Sequence, residues 1–438
     1  MKKKLVICFL LIAVLCAACF CLWACGGDPP ASDDSDKYEI VIPTLPEKEE
    51  EGKVVGQLVV GEDGFLKVGG YGEVVTLRGV NLGGWLIQEC WMCPVNGEDN
   101  EWSNLDTIEA LTERGFTQVQ IDALFESYQD NWITEYDLDI IAGMGCNVVR
   151  VPFWYRNFMS DDSGTWLNSN LNKIPGFQRL DWVIAEAAER DMYVILDMHG
   201  VPGGQSFNHS TGGIGINKIY SDEACQNAME KLWVAIAERY KNNRTVAAYD
   251  IMNEPHNNDE AFADRPEYRN VYTDPRSWSE YNAVYDRMIK AIREVDDNHV
   301  ITVEGIWKVY NLPDPRESGW TNMMYQVHLY DNTDDFRSYA AYLANYAAKR
   351  DVAVYVGEFS NIEGIEICET YGVNWTTWTY KGGKGYNGNW FLYYADLPVA
   401  DSTADSFDEM LEKWGEGLRT ENFTANTELI SAIRAATA

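Results

Sequence analysis

Two glutamates follow apolar segments of the chain, and their placement is the first sign of chemistry. Glu254 follows the segment VAAYDIM with only Asn253 between them, and Glu358 comes directly after VAVYVG. A carboxylate in a protein interior is costly unless it is paired or used. Two facing carboxylates suit glycosidic bond cleavage, because one protonates the leaving oxygen while the other attacks the anomeric carbon or activates water. For either glutamate alone, a buried salt bridge with a cation such as Arg150 is the simpler explanation.

Polar and aromatic residues also mark the ends of most of the other strand-like segments. They are Arg150, His199, Asn253, Glu304, His328, Tyr330, Trp375 and Trp378. Two of the five histidines of the chain belong to this set, which weakens a purely structural explanation. If the segments are parallel strands, these side chains meet at one end of the sheet, and such a ring is what a catalytic pocket requires.

Eight short apolar segments alternate with amphipathic, helix-like ones from about Val80 onward. Continuous apolar runs are typical of parallel strands buried on both faces, so the alternation predicts an α/β fold, a (β/α)8 TIM barrel. The helical pattern is weak only between the fifth and sixth segments. Residues 56–80 alternate β-prone runs with EDG and GGYG turns, which predicts an N-terminal β-hairpin. Segments 88–130, 255–277 and 381–424 are predicted as enlarged loops on the C-terminal face, where barrel enzymes build their sites.

The chain carries a formal net charge of −33 over 438 residues, 46% of which are hydrophobic. This hydrophobic content is that of a globular protein with a large core. An acidic surface repels phosphate backbones and anionic lipid, so nucleic acid is not an expected partner. A neutral substrate fits the charge better, although acidity by itself indicates little more than solubility.

The N-terminal residues have the composition of an export signal. MKKK precedes a long apolar run, and LWACGG then resembles a bacterial lipobox in which Cys25 is lipidated. We expect residues 1–25 to be a lipoprotein-type signal peptide, residues 26–52 to be a disordered acidic, proline-containing linker, and residues 53–438 to be the catalytic domain. The apolar run is also long enough for an uncleaved spanning anchor. Both alternatives tether the domain to a membrane outside the cytoplasm, at the cell surface or in the periplasm.

The cysteines give no disulfide framework and no metal site. Five of them lie beyond residue 25, an odd number. Cys90 and Cys93 form a C-x-x-C pair that lacks a second pair or a nearby histidine at zinc spacing, so no metal site is predicted. A local disulfide and two free thiols are both compatible with this pair.

Six motifs, in their order along the chain, resemble those of glycoside hydrolase family five, the cellulase-type family of retaining barrel enzymes. They are NVVRVPF, LDMHG, MNEP, VHLY, VGEF and WTTW, and the resemblance covers about residues 57–438. The segments RGVNLGGWLIQE and DMHGVPGGQSFNHSTG are most similar to the branch that contains exo-β-1,3-glucanases and β-glucosidases. The loop after Pro255 and the segment 381–424 depart from the fungal members, so linkage preference and exo or endo action stay open.

The resemblance implies a role for each residue of the ring. Glu254 is the acid/base and Glu358 the nucleophile, so Glu254 needs a raised pKa while Glu358 stays ionised. The implied supporting residues are Arg150 and Tyr330, which hydrogen-bond Glu358; Asn253, which binds the sugar 2-hydroxyl; His199 and His328 in the cleaved subsite; Trp378 under the sugar ring; and Glu89 at the non-reducing sugar. Trp375 is expected in the core, and neither a metal nor an organic cofactor is implied.

We therefore expect a retaining glycoside hydrolase that cleaves β-glucosidic bonds in β-glucans, namely β-1,3-glucan or related oligosaccharides, by double displacement with two glutamates. One alternative is an endo-β-1,4-glucanase, or another β-glycosidase of the same family. An alternative from another class is a carbohydrate-binding lipoprotein without catalytic activity.

Overall fold

Eight parallel strands close into a barrel in the computed structural model, which describes residues 56–98, 101–257 and 259–438. In chain order they are β3 (Arg78–Asn81), β4 (Val148–Trp154), β5 (Tyr193–Gly200), β6 (Val246–Asp250), β7 (Val300–Glu304), β8 (Met323–His328), β9 (Ala353–Glu358) and β10 (Asn374–Thr377). Strand β10 closes the barrel by pairing with β3. Each of the eight apolar segments supplies one strand, so the predicted (β/α)8 TIM barrel is confirmed.

The remaining elements flank this barrel. The shorter strands are β1 (Leu58–Val60), β2 (Leu66–Val68), β11 (Lys381–Gly382), β12 (Tyr393–Tyr394) and β13 (Thr424–Ala425). The α-helices of the described residues are α1 (Asn104–Glu113), α2 (Gln118–Trp132), α3 (Glu135–Gly143), α4 (Pro175–Glu189), α5 (Glu223–Tyr240), α6 (Pro275–Arg293), α7 (Pro315–Ser318), α8 (Thr333–Arg350), α9 (Ile362–Tyr371), α10 (Phe407–Lys413) and α11 (Thr427–Thr437). The connection from β7 to β8 holds the four-residue helix α7, in agreement with the weak helical pattern there.

Strands β4 and β5 show why the apolar runs form the strands of the barrel. Every residue of VVRVPFW and of YVILDMHG is buried, because one face of each strand points into the barrel and the other packs under the helices. Helix starts are marked by local chemistry. At α6, the Asp274 side chain accepts the backbone N–H of Arg276, and Pro275 occupies the first helical position, where its missing N–H costs nothing.

The predicted N-terminal hairpin is present and covers the N-terminal end of the barrel. Strands β1 and β2 pair antiparallel from Leu58 to Val68. Leu58 and Leu66 pack into an apolar cluster with the first residues of several barrel strands, among them Tyr193. The hydroxyl of Tyr193 also accepts the backbone N–H of Gly56 at 3.0 Å. The hairpin therefore closes the barrel at the end opposite the polar strand ends.

Two of the three predicted loops contain secondary structure of their own. Segment 88–130 carries α1 and most of α2, and segment 381–424 carries α10 and all or part of the three strands β11, β12 and β13. The N-caps Ser103 and Thr117 explain the two helices, since each forms a capping box with the residue three positions later. Segment 255–277 is the one that forms mainly turns.

Several predictions concern residues outside the described ranges. These are the signal peptide with Cys25, the linker 26–52 and the first residues of the domain predicted at 53–438. Within the described residues, Cys90 and Cys93 are buried free thiols, which decides between the two alternatives for this pair. Among the described residues, no helix combines the length and the apolarity that crossing a bilayer demands.

Candidate active site

The polar strand ends surround a cavity of about 200 Å³ at the C-terminal end of the barrel. Its lining residues are Glu89, Trp91, His199, Asn208, His209, Ser210, Asn253, Glu254, Tyr330, Glu358, Trp378 and Trp390. The structure thus brings Glu254 and Glu358, 104 positions apart in the chain, into one pocket. Two of the predicted loop segments also reach it, one through Glu89 and Trp91 and the other through Trp390.

Arg150 is the central cation beneath this pocket. It is fully buried on β4, and its guanidinium lies 2.8 Å from Asp250, 3.1 Å from Asp197 and 2.8 Å from Glu358. Its Nη2 also donates to the side-chain oxygen of Asn253 at 2.9 Å. The salt bridge considered for Glu358 therefore exists, but as part of a network in which one cation serves three carboxylates.

The carboxylate of Glu358 is held on both oxygens. Arg150 Nη1 donates to Oε1 at 2.8 Å, and the hydroxyl of Tyr330 donates to Oε2 at 2.9 Å. The ring of Tyr330 is itself stacked on Trp390, with 4.8 Å between the ring centroids. Both hydrogen bonds implied by the family resemblance are present, and together they fix the orientation of the carboxylate.

Glu254 lies between two histidines. Its Oε1 is 2.8 Å from His328 Nδ1, and its Oε2 is 3.5 Å from His256 Nε2. Its backbone N–H donates to Glu304 Oε2 at 2.6 Å. The φ angle of Glu254 is +37°, a left-handed conformation that a residue with a side chain keeps only where its surroundings hold it. Such strained residues concentrate at functional sites.

One histidine nitrogen limits the distance between the two glutamates. His328 Nδ1 lies 2.8 Å from Glu254 Oε1 and 3.4 Å from Glu358 Oε2. The two oxygens are therefore no farther apart than the sum of these distances. That sum is below the roughly 6.5 Å at which the carboxylate pairs of inverting glycosidases begin, so the spacing fits a retaining pair.

The pKa order of the two glutamates is the reverse of the expected one. Burial alone would raise the pKa of Glu254, but hydrogen bonds from His256 and His328 outweigh it and hold the pKa well below its usual range. Burial raises the pKa of Glu358, and the charges of His328 and Arg150 offset only part of that rise. The acid/base role expected of Glu254 and the nucleophile role expected of Glu358 therefore rest on their positions and contacts and not on this pKa order. The resemblance implies His328 at the cleaved subsite, whereas the contact between His256 and Glu254 was not expected from the sequence.

Glu304 is a third carboxyl group of the same cluster. It is fully buried at the end of β7, and its Oε1, which has no hydrogen-bond partner, lies 3.6 Å from His328 Nδ1. Burial raises its pKa well above the usual range, and the charges of Glu254 and Glu358 add to the rise. Burial lowers the pKa of His328, yet Glu304, Glu358 and Glu254 together raise it to about 9. Protonated His328 is therefore the counter-ion of the cluster.

The other expected sugar-binding residues line one wall of the cavity. His199 Nδ1 is 2.7 Å from Asp197, and His199 Nε2 is 3.3 Å from the amide nitrogen of Asn253. The imidazole of His199 stacks on Trp378, with ring centroids 5.4 Å apart and an angle of 11° between the planes. Trp378 faces the cavity, whereas Trp375 is fully buried, as expected of a core residue.

Glu89 belongs to the wall formed by the loop after β3. Its Oε2 accepts a hydrogen bond from the Trp91 indole at 2.8 Å and lies 3.3 Å from His209 Nε2. Burial raises the pKa of Glu89, but His209 outweighs it and lowers the pKa overall. Trp91 in turn packs edge-on against Trp390, with ring centroids 5.4 Å apart. Two enlarged segments thus meet at the wall of the cavity beside Glu89.

Three groups of the site could also hold a metal ion. One ligand atom each from Glu254, Glu304 and His328 lies within 4.8 Å of the others, and zinc accepts ligands of both types. Glu254 Oε1 and His328 Nδ1 already lie within hydrogen-bond distance of each other. Glycoside cleavage by two carboxylates needs no metal, so the chemistry of the site does not call for one.

Several residues of the site were not singled out from the sequence. They are His256, His209, Gln205, Trp91 and Trp390 as pocket or cluster residues, and Glu304 as a partner of Glu254. His256 follows Glu254 by two positions, a spacing that could have suggested it. Gln205, which donates to the backbone oxygens of His199 and Asn253 at 2.7 and 2.8 Å, lies in a glycine-rich loop whose path the sequence does not reveal.

Comparisons with known proteins agree with this geometry. Residues 101–395 match the family model for cellulase, glycosyl hydrolase family 5. The chain is 30% identical over 281 residues to a β-xylosidase of Phanerodontia chrysosporium, covering 64% of this chain and 51% of that protein. It is 32% identical over 190 residues to a glucan 1,3-β-glucosidase of Blumeria graminis, covering 41% of each. The matches thus span about half of these relatives or less. A rutinosidase structure from Aspergillus niger superimposes with a TM-score of 0.55 at 18% identity, covering 72% of this chain and 92% of that one, and shows a similar fold.

Proposed function

The chain belongs to glycoside hydrolase family 5, and from this premise we propose that it hydrolyses β-glucosidic bonds of β-glucans or their oligosaccharides with retention of configuration. The observation that supports the proposal most is the pair Glu254 and Glu358, which face one pocket on either side of His328. The upper bound on the distance between Glu254 Oε1 and Glu358 Oε2 lies below the spacing at which inverting pairs begin, and this supports retention.

In the first step, a carboxylate oxygen of Glu358 attacks the anomeric carbon and forms a covalent glucosyl ester. Glu254 donates a proton to the departing oxygen, so the leaving group departs as a neutral alcohol. In the second step, Glu254 takes a proton from water, and that water displaces Glu358 from the sugar. Both glutamates return to their starting protonation states.

The neighbouring residues prepare these two groups. Arg150 and Tyr330 direct the Glu358 carboxylate. The hydrogen bond from Arg150 orients Asn253, and this supports the proposal that Asn253 binds the sugar 2-hydroxyl. For Glu254 to act as an acid, the glucoside-bound site must raise its pKa. The hydrogen bond from His328 is one of the two main causes that lower the pKa of Glu254. Loss of the His328 proton would therefore raise the pKa of Glu254 directly.

The cavity wall beside Glu89 supports cleavage at the ends of glucan chains rather than in their interior. Glu89, Trp91, His209 and Trp390 contact one another or border the same cavity, and this wall would stop a glucan from continuing past the cleaved sugar. We therefore propose release of glucose from non-reducing ends. The names of relatives such as the glucan 1,3-β-glucosidase of Blumeria graminis favour β-1,3-linked glucan as the substrate.

A product analysis tests this function. The chain is incubated separately with a soluble β-1,3-glucan, a mixed-linkage β-glucan and a soluble cellulose derivative, and product sizes are followed over time. Steady release of glucose from the β-1,3-glucan is the expected result. Glu358→Ala protein, prepared in parallel, is the control for contaminating activity.

Other outcomes would select an alternative. A ladder of oligomers from cellulose or from mixed-linkage glucan would mean an open cleft and an endo-β-1,4-glucanase. Activity on a β-xyloside but on none of the glucans would move the sugar specificity, in line with the β-xylosidase of Phanerodontia chrysosporium. Binding of a glucan without any turnover would favour the non-catalytic carbohydrate-binding protein.

We also propose that the protein is exported and held at a membrane by lipid on Cys25. The basic start, the apolar run and the lipobox-like LWACGG support this proposal. In a bacterial host, the wild-type chain should take up a labelled fatty acid and sediment with membranes. Cys25→Ala should lose the label, and retention of the label by this variant would contradict lipidation at Cys25.

A further inference from the structure

Two buried side chains hold the peptide bond that joins Asn253 to Glu254. Gln205 Nε2 donates to the backbone oxygen of Asn253 at 2.8 Å. Glu304 Oε2 accepts the backbone N–H of Glu254 at 2.6 Å. Both polar groups of one peptide are therefore fixed by side chains, one from the loop after β5 and the other from the end of β7. Gln205 and Glu304, which we call the peptide clamp, are fully buried and lie behind the wall of the cavity rather than in its lining.

The peptide clamp holds a strained turn. The φ angle of Glu254 is +37°, in a region that residues with side chains rarely occupy. The residue before a proline also prefers an extended conformation, and Pro255 follows directly. The backbone oxygen of Glu254 accepts the N–H of His256 at 2.7 Å, on the other side of the turn. A strained backbone persists only where its surroundings fix it, and the two hydrogen bonds of the clamp supply such a constraint.

Glu304 is an unusual partner for a backbone N–H, because burying a carboxylate is costly. Its other oxygen indicates where the charge is directed. Oε1 has no hydrogen-bond partner among the described residues and lies 3.6 Å from His328 Nδ1. The same nitrogen lies 2.8 Å from Glu254 Oε1. Glu304 thus acts on Glu254 twice, through the backbone and through the histidine that contacts the Glu254 carboxylate.

The side chain of Asn253 is held independently of the peptide clamp. Its oxygen accepts a hydrogen bond from Arg150 Nη2 at 2.9 Å, and its amide nitrogen lies 3.3 Å from His199 Nε2. Loss of the bond from Glu304 should therefore leave the Asn253 side chain in place and disturb mainly Glu254.

We propose that the peptide clamp holds Glu254 where it can protonate the leaving oxygen, so that Gln205 and Glu304 are positioning residues of the reaction. The inference rests on the acid/base role of Glu254 in the proposed function. A general acid must lie within hydrogen-bond reach of the oxygen that it protonates, so a shift of the Glu254 backbone weakens proton transfer directly.

The test compares a substrate that needs a proton with one that does not. Laminaribiose, two glucose units joined by a β-1,3 bond, has a poor leaving group, whereas 2,4-dinitrophenyl β-glucoside departs as a stable phenolate. Glu304→Met removes the acceptor and keeps a side chain of similar length. We expect kcat/KM for laminaribiose to fall about ten- to hundredfold, which is part of the roughly 10²- to 10⁴-fold contributed by general acid catalysis. For the dinitrophenyl glucoside, kcat/KM should stay within about threefold of wild type, since this quantity reports the glycosylation step, which needs no proton there.

Two further variants and a control identify the bond that matters. Glu304→Gln keeps an oxygen for the backbone N–H of Glu254 and should restore most of the rate on laminaribiose. Gln205→Met removes the other arm of the clamp and should show the same dependence on the leaving group, and it carries the test should Glu304→Met not fold. Thr302→Val removes a buried hydroxyl two positions earlier on β7, so it is the matched control and should change neither substrate.

The inference fails in three distinguishable ways. Equal losses on both substrates in Glu304→Met, or no loss on either, would mean that Glu304 only supports the fold or has no role, and the proposed function would stand. If Glu304→Gln is as slow as Glu304→Met, the charge that faces His328 matters and the bond to the backbone does not. Failure of the wild-type chain to turn over the dinitrophenyl glucoside would contradict the proposed function itself and, with it, the role of the clamp.

Discussion

Arg150 Nη1 lies 2.8 Å from Glu358 Oε1, and the same guanidinium contacts Asp197 and Asp250. None of these four side chains is more than slightly exposed. The ion pair is therefore part of the barrel interior as well as part of the site. Orienting Glu358 and stabilising the centre of the fold depend on the same residue.

Arg150→Leu should destabilise the protein strongly, because three buried carboxylates lose their common cation. Breaking a buried pair from one side costs about 3–5 kcal/mol of the free energy of unfolding, to be measured by chemical denaturation. Arg276→Leu is the matched control, since its pair with Asp274 is at the surface and should matter little. A small change for Arg150→Leu would mean that the carboxylates take up protons in its place.

Glu358→Ala should abolish turnover and leave the fold intact. The side chain supplies the nucleophile of the proposed mechanism, and its removal relieves a buried charge rather than creating one. Activity on laminaribiose and the thermal unfolding temperature are the two measurements. Glu363→Ala, at an exposed position of α9, serves as control. Unchanged turnover in Glu358→Ala would sink the assignment.

Glu254→Ala should slow natural glucosides far more than activated ones. General acid catalysis contributes about 10²- to 10⁴-fold, and a dinitrophenolate leaving group needs no proton. We expect that loss for laminaribiose and a much smaller one for 2,4-dinitrophenyl β-glucoside when the first, glycosylation step is measured. If both substrates suffer equally, Glu254 is not the acid, and its low pKa would describe its working state as well.

The stability of the protein should depend on pH through His328. Its pKa in the fold is about 9, above the ordinary 6.5, because Glu304, Glu358 and Glu254 face it. The stabilisation is therefore complete below about pH 6.5 and is lost as the pH rises through 9, with a full value of roughly 3 kcal/mol. The free energy of unfolding of wild type minus that of His328→Asn, measured at pH 6, 7.5 and 9.5, should shrink along this series. A constant difference would show that His328 is neutral in the fold.

Trp378→Ala and Trp375→Ala should separate sugar binding from folding. Trp378 borders the cavity and stacks on His199, whereas Trp375 is fully buried and its indole donates to Glu369 at 2.8 Å. Trp375→Ala should cost about 3–5 kcal/mol of unfolding free energy, as large core deletions do. Trp378→Ala should weaken glucose inhibition with a smaller loss of stability. A larger loss for Trp378→Ala would mark it as a core residue.

The barrel and the convergence of Glu254 and Glu358 in one pocket could be predicted from sequence for a physical reason. Strands buried on both faces leave continuous apolar runs, and a polar residue at the end of such a run has few positions open to it in a closed barrel. Glu254, Glu358 and Arg150 all stand out in this way. The same argument fails for residues on connecting segments, because no periodicity fixes the path of a loop.

The wall of the pocket and the pKa order of its glutamates could not be predicted from strand patterns. Trp91 and Trp390 meet although they are almost 300 positions apart, and their contact depends on how two long segments fold. The pKa order of Glu254 and Glu358 depends on distances of about 3 Å to His256 and His328, which a sequence does not encode directly. Helices α1 and α2 differ from the predicted loop at 88–130 because only their N-terminal capping residues mark them within a long connection.

The hairpin at the N-terminal end of the barrel sets where a tether would join the catalytic domain. Gly56, the first described residue, is bonded to Tyr193 at the foot of the barrel, while the pocket opens at the opposite end. A tether attached through the proposed lipid on Cys25 would therefore join the barrel at the end away from the pocket and would leave the pocket entrance uncovered. Glucan chains at the surface of an insoluble particle would then reach the pocket without passing the tether.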